Sequence, residues 1–175
     1  MFALTTQRLI LREVKMTDAG QLLAAMACPE VHSMHSNGFW NIADVRRYIA
    51  VLTKEYKAGK YRTLAIAERE TDTLCGTITI NVQEIFSRAE LGYWIAIPHR
   101  NKGYATEAAR AVITYGFDEL GMRRIQSFHS VGNPASGRVL EKAGMMYEGT
   151  LRQYNALDGR GADAKMYAIV KPDRI

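Results

Sequence analysis

The sequence has few of the features that stabilise small secreted proteins or anchor a chain in a membrane. Cysteine occurs only as Cys28 and Cys75, and C-x-x-C is absent, so neither a disulfide framework nor a thiol redox motif is predicted. No apolar run approaches the roughly 18 residues that suggest a membrane span. The first residues also lack the basic segment and apolar core of a signal peptide. We therefore expect a cytoplasmic protein without a membrane partner.

Several nucleotide and metal motifs are also missing. The chain contains no G-x-x-x-x-G-K-[ST] P-loop and no glycine-rich dinucleotide fingerprint. Cys28, His32 and His35 lie close together in sequence, but no second ligand cluster with zinc spacing follows, so we expect no metal. The net charge of +5 fits an anionic cofactor or an acidic partner. The sequence has no basic run with interleaved aromatic residues, which is the pattern that would indicate nucleic-acid binding.

Length and composition predict one globular domain over residues 1–175. The chain has 175 residues, of which 47% are hydrophobic and 23% are charged. This is enough to bury an ordinary core without a metal or a disulfide. No linker or internal repeat divides the sequence.

The stretch 90–120 organises the chain. Residues 90–97 are rich in β-branched and aromatic side chains and stop at Pro98, which predicts a short buried strand. From Tyr104 onward, apolar residues recur every three or four positions, which predicts a helix packed on a sheet. Gly121 is the predicted end of this helix.

The loop between this strand and helix, Arg100-Asn101-Lys102-Gly103, brings a glycine and two cations to the start of the helix. The first N–H groups of a helix lack intrahelical partners, and the helix dipole adds about half a positive charge, so a phosphate can bind there. An ordinary turn containing one glycine explains the same pattern. The spacing alone leaves both interpretations open.

The other segments predict more strands and helices around this centre. The predicted strands are residues 8–14, 62–68 and 73–82 as a hairpin, 123–131, and 146–155 and 163–170 across an Asp158-Gly159 turn. The predicted helices run from Thr17 or Asp18 to Ala27, from Asn41 with Asp44 in a capping box to Gly59, and from Asn133-Pro134 to Gly144. Residues 32–40 are interpreted as a surface loop, with a mobile wall of an acceptor site as the alternative.

Four motifs follow one another along the chain. They are Thr6-Gln7-Arg8-Leu9-Ile10-Leu11-Arg12 with Asp18-Ala19, R-x-x-G-x-A from Arg100 to Ala105, N-x-x-S-x-R-x-x-E-K-x-G from Asn133 to Gly144, and a terminal set of Leu151, Arg152, Asp158, Gly159, Asp163, Met166 and Tyr167. Together they resemble the GNAT superfamily of acetyl-CoA-dependent N-acetyltransferases, and within it the RimJ/RimL type, named for ribosomal-protein N-terminal acetyltransferases. Each motif alone is weak, but the ordered set covers almost the whole chain and is specific.

The resemblance implies an α/β fold, the GNAT fold. In this fold a mixed, strongly twisted sheet of about seven strands carries helices on both faces. The central strand and the strand after the central helix splay apart, and the cofactor and the amine meet in the gap.

The resemblance also implies acetyl-CoA as the co-substrate, without a metal, and assigns the residues that hold it. Those for the pyrophosphate are Arg100, Asn101, Lys102, Gly103, Tyr104 and Ala105. Those that offer backbone groups to the pantetheine are Tyr93, Trp94, Ile95, Ala96 and Ile97, with an N–H near Ile95 for the oxyanion. Asn133 would contact the pantetheine arm and Ser136 would lie near the sulfur. Helix capping by Asn133 and core packing by Tyr93 are alternative roles that can coexist with these.

The catalytic acid and base are where the sequence departs from the family. The tyrosine proton donor of many GNAT enzymes is replaced by Leu140, and the glutamates used as bases in the RimI and RimL types correspond to Gln126 and Asn155. Ser136 retains the serine that the RimL type uses as an acid. We predict Glu90 as the base, through a water, with His129 as the second candidate; a structural role is the alternative for each.

The acceptor is predicted from amine chemistry. At neutral pH an α-amine with a pKa of about 7.8 is far more often neutral than a lysine amine with a pKa of about 10.4. A site with a weak base therefore favours an N-terminal α-amine, such as that of a ribosomal protein, and the RimJ/RimL resemblance implies the same. The alternatives are a small amine, such as a polyamine, an amino acid derivative or an antibiotic, and a CoA-binding module without turnover. The protein is expected to be a monomer or a homodimer.

Overall fold

A computed structural model describes residues 2–26, 41–59, 61–155 and 161–171. Within these residues the chain forms eight strands and four helices. The strands are β1 (Ala3–Thr5), β2 (Leu9–Glu13), β3 (Tyr61–Glu68), β4 (Leu74–Gln83), β5 (Arg88–Ile95), β6 (Arg124–Ser130), β7 (Met146–Asn155) and β8 (Ala162–Val170). The helices are α1 (Ala19–Met26), α2 (Ile42–Lys57), α3 (Tyr104–Asp118) and α4 (Pro134–Lys142).

All eight strands belong to one mixed sheet, in the order β1-β2-β3-β4-β5-β6-β8-β7. Every neighbouring pair is antiparallel except β5 and β6. These two strands are parallel because the crossover helix α3 connects them. A parallel pair joined by a helix is what the predicted α/β fold class requires. The sequence predicted about seven strands; the difference is the three-residue strand β1, which is too short to show a period.

Helices cover both faces of the sheet, as predicted, because alternate strand residues point to opposite faces. The core on one face combines strand residues with α3 and α4, and includes Leu64, Ile66, Leu91, Ala108, Val112 and Leu140. The core on the other face combines strand residues with α1 and α2, and includes Ala65, Trp94, Leu22, Val45 and Ile49. Neighbouring residues of β3, such as Ala65 and Ile66, therefore lie in different cores.

The predicted helix caps are present in the structure. The Asn41 side chain accepts hydrogen bonds from the backbone N–H groups of Ala43 and Asp44, at 2.9 and 3.1 Å, and Asp44 accepts one from Asn41 in return. Asn133 precedes α4 and accepts from the N–H of Ser136 at 3.3 Å. Local side-chain chemistry thus fixes where both helices begin.

The clearest differences from the predicted boundaries concern the central strand and the central helix. The central strand is Arg88–Ile95 and not 90–97, because Ile97–His99 forms a 3₁₀ turn around Pro98. The first helix begins at Ala19, directly after Asp18, which was one of the two predicted caps, and a 3₁₀ turn at Met16–Asp18 precedes it. The central helix ends at Asp118, three residues before the predicted end at Gly121. Helix ends are set by the first or last turn, which the apolar period does not resolve.

Three predictions concern residues outside the described ranges: the end of the first helix at Ala27, the loop 32–40 and the Asp158-Gly159 turn. None of the helices described is both long and apolar enough to cross a membrane.

Candidate active site

The central feature is a gap that opens between β5 and β6. The two strands pair only from Arg88 with Arg124 to Glu90 with Gln126. One residue further on, the Ser127 hydroxyl donates to the Leu91 carbonyl at 2.7 Å. A side chain thus takes the place of the next backbone bond, and beyond it β5 has no ladder to β6 among the described residues. The predicted splay of the central strand pair is present.

The loop at the end of β5 leads directly into α3. Asn101 and Gly103 adopt left-handed backbone angles, with φ of 61° and 82°. Gly103 stands at the N-cap position and so has no side chain to cap the helix, and the first helical bond runs from Glu107 N–H to Gly103 O. The N–H groups of the first turn are therefore left for an external acceptor, together with the positive end of the dipole. This is the geometry that a phosphate needs.

An ion pair that the sequence did not reveal holds this loop. The Arg8 guanidinium donates to Glu107 of α3 at 2.8 Å and to the Lys102 carbonyl at 2.8 Å, and it lies over the Tyr104 ring. The Thr6 hydroxyl donates to the same Glu107 carboxylate at 2.7 Å. Burial alone would raise the pKa of Glu107, but these hydrogen bonds outweigh it and hold the pKa below the usual value.

The start of α4 brings two hydroxyl groups together at the gap. The Tyr93 hydroxyl of β5 lies 2.8 Å from Ser136 Oγ and 3.0 Å from the Ser136 carbonyl oxygen. Burial raises the pKa of Tyr93 to about 12, although the hydrogen bond with Ser136 acts to lower it. Tyr93 therefore keeps its proton at neutral pH. Asn133 and Ser136, which were predicted together, are adjacent in the structure.

Glu90 lies at the last paired position before the gap, opposite Asn81 of β4 and Gln126 of β6. Within the described residues its carboxylate makes no hydrogen bond or ion pair. Along β5, Glu90 alternates with Leu91 and so shares the sheet face of Trp94, the face that α1 and α2 cover. The carboxylate and the Tyr93 hydroxyl therefore approach the gap from opposite faces.

His129, the second candidate base, is packed beneath α4. It is buried, its Nδ1 lies 2.7 Å from the Ser130 carbonyl oxygen, and its ring contacts Tyr167. A Cβ added at Gly137 would lie only 2.6 Å from His129 Nε2. The ring thus fills the space under α4, which favours its structural role. Leu140, at the position of the missing tyrosine, is fully buried.

The other predicted cofactor residues surround the same junction. Trp94 and Ala96 are buried in the core beside α1 and α2, so only their backbone groups are available to a ligand. The Arg100 side chain donates back to the Ile95 carbonyl at 3.1 Å, which shapes the turn. Lys102 lies over the ring of Tyr104 at 5.8 Å. Ile97 is exposed, and Ala105 belongs to the first turn of α3.

A separate groove of about 930 Å³ runs along β1 and one side of α3. Its lining includes Arg8, Gly103 and Glu107, but neither Tyr93 nor Ser136. It therefore reaches the loop from outside and is distinct from the gap between β5 and β6.

A mixed sheet whose central parallel strands separate, followed by a turn into an uncapped helix, defines the class of GNAT-fold acyltransferases. Residues 8–146 match the family of the acetyltransferase (GNAT) domain. The uncharacterized N-acetyltransferase YoaA of Bacillus subtilis is 35% identical over 173 residues, covering 97% of each chain. The chain belongs to the GNAT family of N-acetyltransferases.

Two further similarities concern ribosomal-protein acetyltransferases. The ribosomal-protein-serine acetyltransferase of Escherichia coli is 32% identical over 100 residues, which cover 57% of this chain and 56% of that protein. The solved structure of RimL, a ribosomal-protein α-N-acetyltransferase in complex with coenzyme A, superposes with a TM-score of 0.84 at 19% identity, over 97% of this chain and 98% of that one. At that identity the structural likeness concerns the fold.

Proposed function

We propose that the protein transfers the acetyl group of acetyl-CoA to a primary amine, and that the acceptor is the N-terminal α-amine of a protein, such as a ribosomal protein. The observation that carries the proposal is the convergence, at one gap in the sheet, of the uncapped start of α3 and the Ser136–Tyr93 hydroxyl pair. Family membership supplies the reaction type. The relatives named for ribosomal proteins support the acceptor class.

The cofactor would lie across the gap with its phosphates on α3. The pyrophosphate would accept hydrogen bonds from the N–H groups around Gly103–Ala105, with Lys102 as a nearby cation. The pantetheine would follow the free backbone edge of β5 along residues 93–97 and pass Asn133. Because the Asn133 side chain already accepts from Ser136 N–H, its amide nitrogen remains free to donate to the cofactor.

The chemistry is a direct attack in a ternary complex. The neutral amine attacks the thioester carbonyl carbon, and the resulting oxyanion accepts a hydrogen bond from a backbone N–H of β5 near Ile95. The C–S bond then breaks as the carbonyl re-forms. Ser136 donates a proton to the leaving thiolate and takes one from Tyr93, while the proton of the amine passes through a water to Glu90. After product release Glu90 gives its proton to solvent and Tyr93 takes one back from solvent.

The proposed acceptor class rests on the weakness of Glu90 as a base. A carboxylate acting through water can take a proton from an amine that is already partly neutral. An α-amine with a pKa of about 7.8 meets this requirement at neutral pH, and a lysine amine with a pKa of about 10.4 does not. The difference corresponds to about 3 kcal/mol of activation free energy. A ribosomal-protein acceptor would place the reaction in the cytoplasm.

The test is CoA release from acetyl-CoA with a panel of acceptors. The panel contains unblocked peptides with ribosomal-protein amino termini, the same peptides with acetylated amino termini and free lysines, and spermidine. We expect release with the unblocked peptides alone. Release with spermidine alone would make the protein a small-amine acetyltransferase. No release with any amine, despite acetyl-CoA binding in equilibrium dialysis, would make it a binding module.

A further inference from the structure

Three side chains of types that can bind a metal lie close together beside the loop 100–103, which we call the phosphate loop. Glu68 ends β3, Cys75 lies at the start of β4, and His99 lies in the turn after β5. Their ligand atoms all lie within 4.8 Å of one another. The distance from Cys75 Sγ to His99 Nδ1 is 3.4 Å, and that from His99 Nδ1 to Glu68 Oε1 is 3.7 Å.

The two distances to His99 Nδ1, 3.4 and 3.7 Å, are close to those between ligands of one tetrahedral metal. With Zn–S, Zn–N and Zn–O bonds of about 2.3, 2.0 and 2.1 Å, neighbouring ligand atoms stand about 3.4 to 3.6 Å apart. Cys75 and Glu68 both approach His99 through the same ring nitrogen, Nδ1. A nucleophilic triad would instead use the two nitrogens of the ring, one for each partner. The arrangement, in which both neighbours lie beside the same nitrogen, therefore favours a shared ion over a proton relay.

We propose that Glu68, Cys75 and His99 form a binding site for a divalent transition metal, with zinc as the metal that these ligands suit. Thiolate and imidazole ligands select zinc and its neighbours over magnesium and calcium, which require oxygen ligands throughout. Three protein ligands leave the fourth tetrahedral position to water. On binding, the metal takes the Cys75 sulfur as thiolate and the thiol proton passes to solvent.

The surroundings of the three ligands support a metal site. The Tyr104 hydroxyl donates to Glu68 Oε1 at 3.0 Å and so orients the carboxylate, as outer hydrogen bonds do in known sites. Cys75 is fully buried, while His99 and Glu68 are partly exposed, with side-chain exposures of 17% and 26%. The cluster thus has a fixed thiol at its base and an open side through which an ion can enter.

The site would brace both ends of the phosphate loop. His99 immediately precedes Arg100, and Tyr104, which holds Glu68, is the first residue of α3. A bound metal would connect His99 directly to the β3–β4 hairpin, which carries Glu68 and Cys75. Tyr104 would be connected through its hydrogen bond to Glu68. Metal binding is nevertheless measured without the acetyltransfer reaction, so its test stands apart from that of the proposed function.

The test uses the full chain without a histidine tag, stripped by a chelator and titrated with Zn²⁺ against a chromophoric competitor. Co²⁺ is the spectroscopic probe, because a thiolate ligand gives a charge-transfer band in the near ultraviolet. We expect a single equivalent of metal per chain and this band. Cys75→Ser should abolish the band, and Cys75→Ser and His99→Gln should each weaken Zn²⁺ binding about tenfold or more.

The matched control is Cys28→Ser, which changes the other cysteine of the chain and should leave metal binding and the band unchanged. Circular dichroism establishes that each variant is folded. The proposal is overturned if the stripped protein takes up no Zn²⁺, or if folded Cys75→Ser and His99→Gln both bind it as the parent does. It is also overturned if Cys28→Ser loses the metal, which would assign the ion to Cys28 and its neighbouring histidines.

Discussion

Ser136 is positioned by three contacts that share one small volume. Its N–H is bonded to the Asn133 side chain, and its hydroxyl and carbonyl both lie within 3.0 Å of the Tyr93 hydroxyl. These contacts fix the orientation of the Ser136 hydroxyl, and with it the direction in which Ser136 can donate a proton. Because burial raises the pKa of Tyr93 to about 12, the pair stays protonated throughout the neutral range.

We expect Ser136→Ala to lower kcat about 100-fold and Tyr93→Phe about tenfold, with smaller changes in KM, because general acids contribute about 10² to 10⁴ in rate. The double variant should resemble Ser136→Ala, since both hydroxyls serve one proton path. Because burial keeps the Tyr93–Ser136 pair protonated, the pH–rate profile of the parent should show no fall in the neutral range from deprotonation of this pair. The matched control is Tyr147→Phe, which removes a hydroxyl paired with Thr150 on β7. Equal losses in that control and in Tyr93→Phe would contradict the assignment.

Glu90 is tested by the pH dependence of its variant. We expect Glu90→Gln to lower turnover at pH 7 by about tenfold or more, and to lose less at pH 9, where an α-amine with a pKa of about 7.8 is already neutral. The pH–rate profile of the variant beside the parent measures this. Glu84→Gln, a change of an exposed glutamate, is the control. A loss that does not vary with pH would assign Glu90 a structural role.

At the scale of the element, the start of α3 combines a positive helix end with a residue that has no side chain. Gly103 has a φ of 82°, and a Cβ there would stand 3.3 Å from the Arg8 guanidinium. A side chain at this position would enter the space where the phosphate is expected. Gly121, after the same helix, has a similar φ of 67°, but a Cβ there meets nothing within 4 Å.

This pair separates backbone strain from ligand binding. Gly103→Glu and Gly121→Glu should each lose about 1 to 2 kcal/mol of folding stability, because both place a side chain in the left-handed region. Only Gly103→Glu should weaken acetyl-CoA binding, by about tenfold or more, because it adds a negative charge at the helix start. Calorimetric titration and urea unfolding measure the two effects. Unchanged affinity in Gly103→Glu would remove the phosphate site from this loop.

At the scale of the whole molecule, charged contacts connect segments that lie far apart in sequence. Thr6 and Arg8, which lie in the turn between β1 and β2, reach Glu107 of α3. Arg12 of β2 is buried with Asp18 in two hydrogen bonds of 2.8 and 2.9 Å. Arg12 also holds the pKa of Asp72 below its usual value. The amino-terminal motif is therefore a set of structural contacts that fasten the first two strands to the rest of the fold.

These contacts predict a stability that falls in acid. The folded pKa values of Glu107 and Asp72 are lowered, so the unfolded chain binds more protons, and stability rises with pH. The contribution is complete above the unfolded pKa values of about 4 and is lost as the pH falls below them. Glu107→Gln should cost about 1 to 2 kcal/mol at pH 7 and flatten this dependence, because its charged hydrogen bonds are partly exposed.

Urea unfolding between pH 7 and pH 3 measures the effect. Glu119→Gln, at the far end of the same helix, is the control, because Glu119 is exposed and has no ion pair among the described residues. A pH dependence in Glu107→Gln as steep as in the parent would show that other groups cause the acid sensitivity.

The sequence by itself determined the features that depend on neighbouring residues. The Asn41 and Asn133 caps, the apolar period of α3 and the glycine at its start act within a few residues, so local patterns were sufficient to predict them. The ordered motifs then identified the family, and with it the mixed sheet and its splayed strand pair. Predicted strand and helix ends differed by a few residues, because the terminal turns depend on contacts that the period does not contain.

The tertiary structure alone decided which distant side chains meet. Arg8 and Glu107 are 99 positions apart, and Tyr93 and Ser136 are 43 apart; no spacing rule connects such pairs. Glu68, Cys75 and His99 likewise lack the spacing of a zinc motif and converge only because two strand ends and a turn lie side by side. The physical reason is that the sheet order is fixed by burial of the whole chain, while local patterns report only the period and the ends of each element.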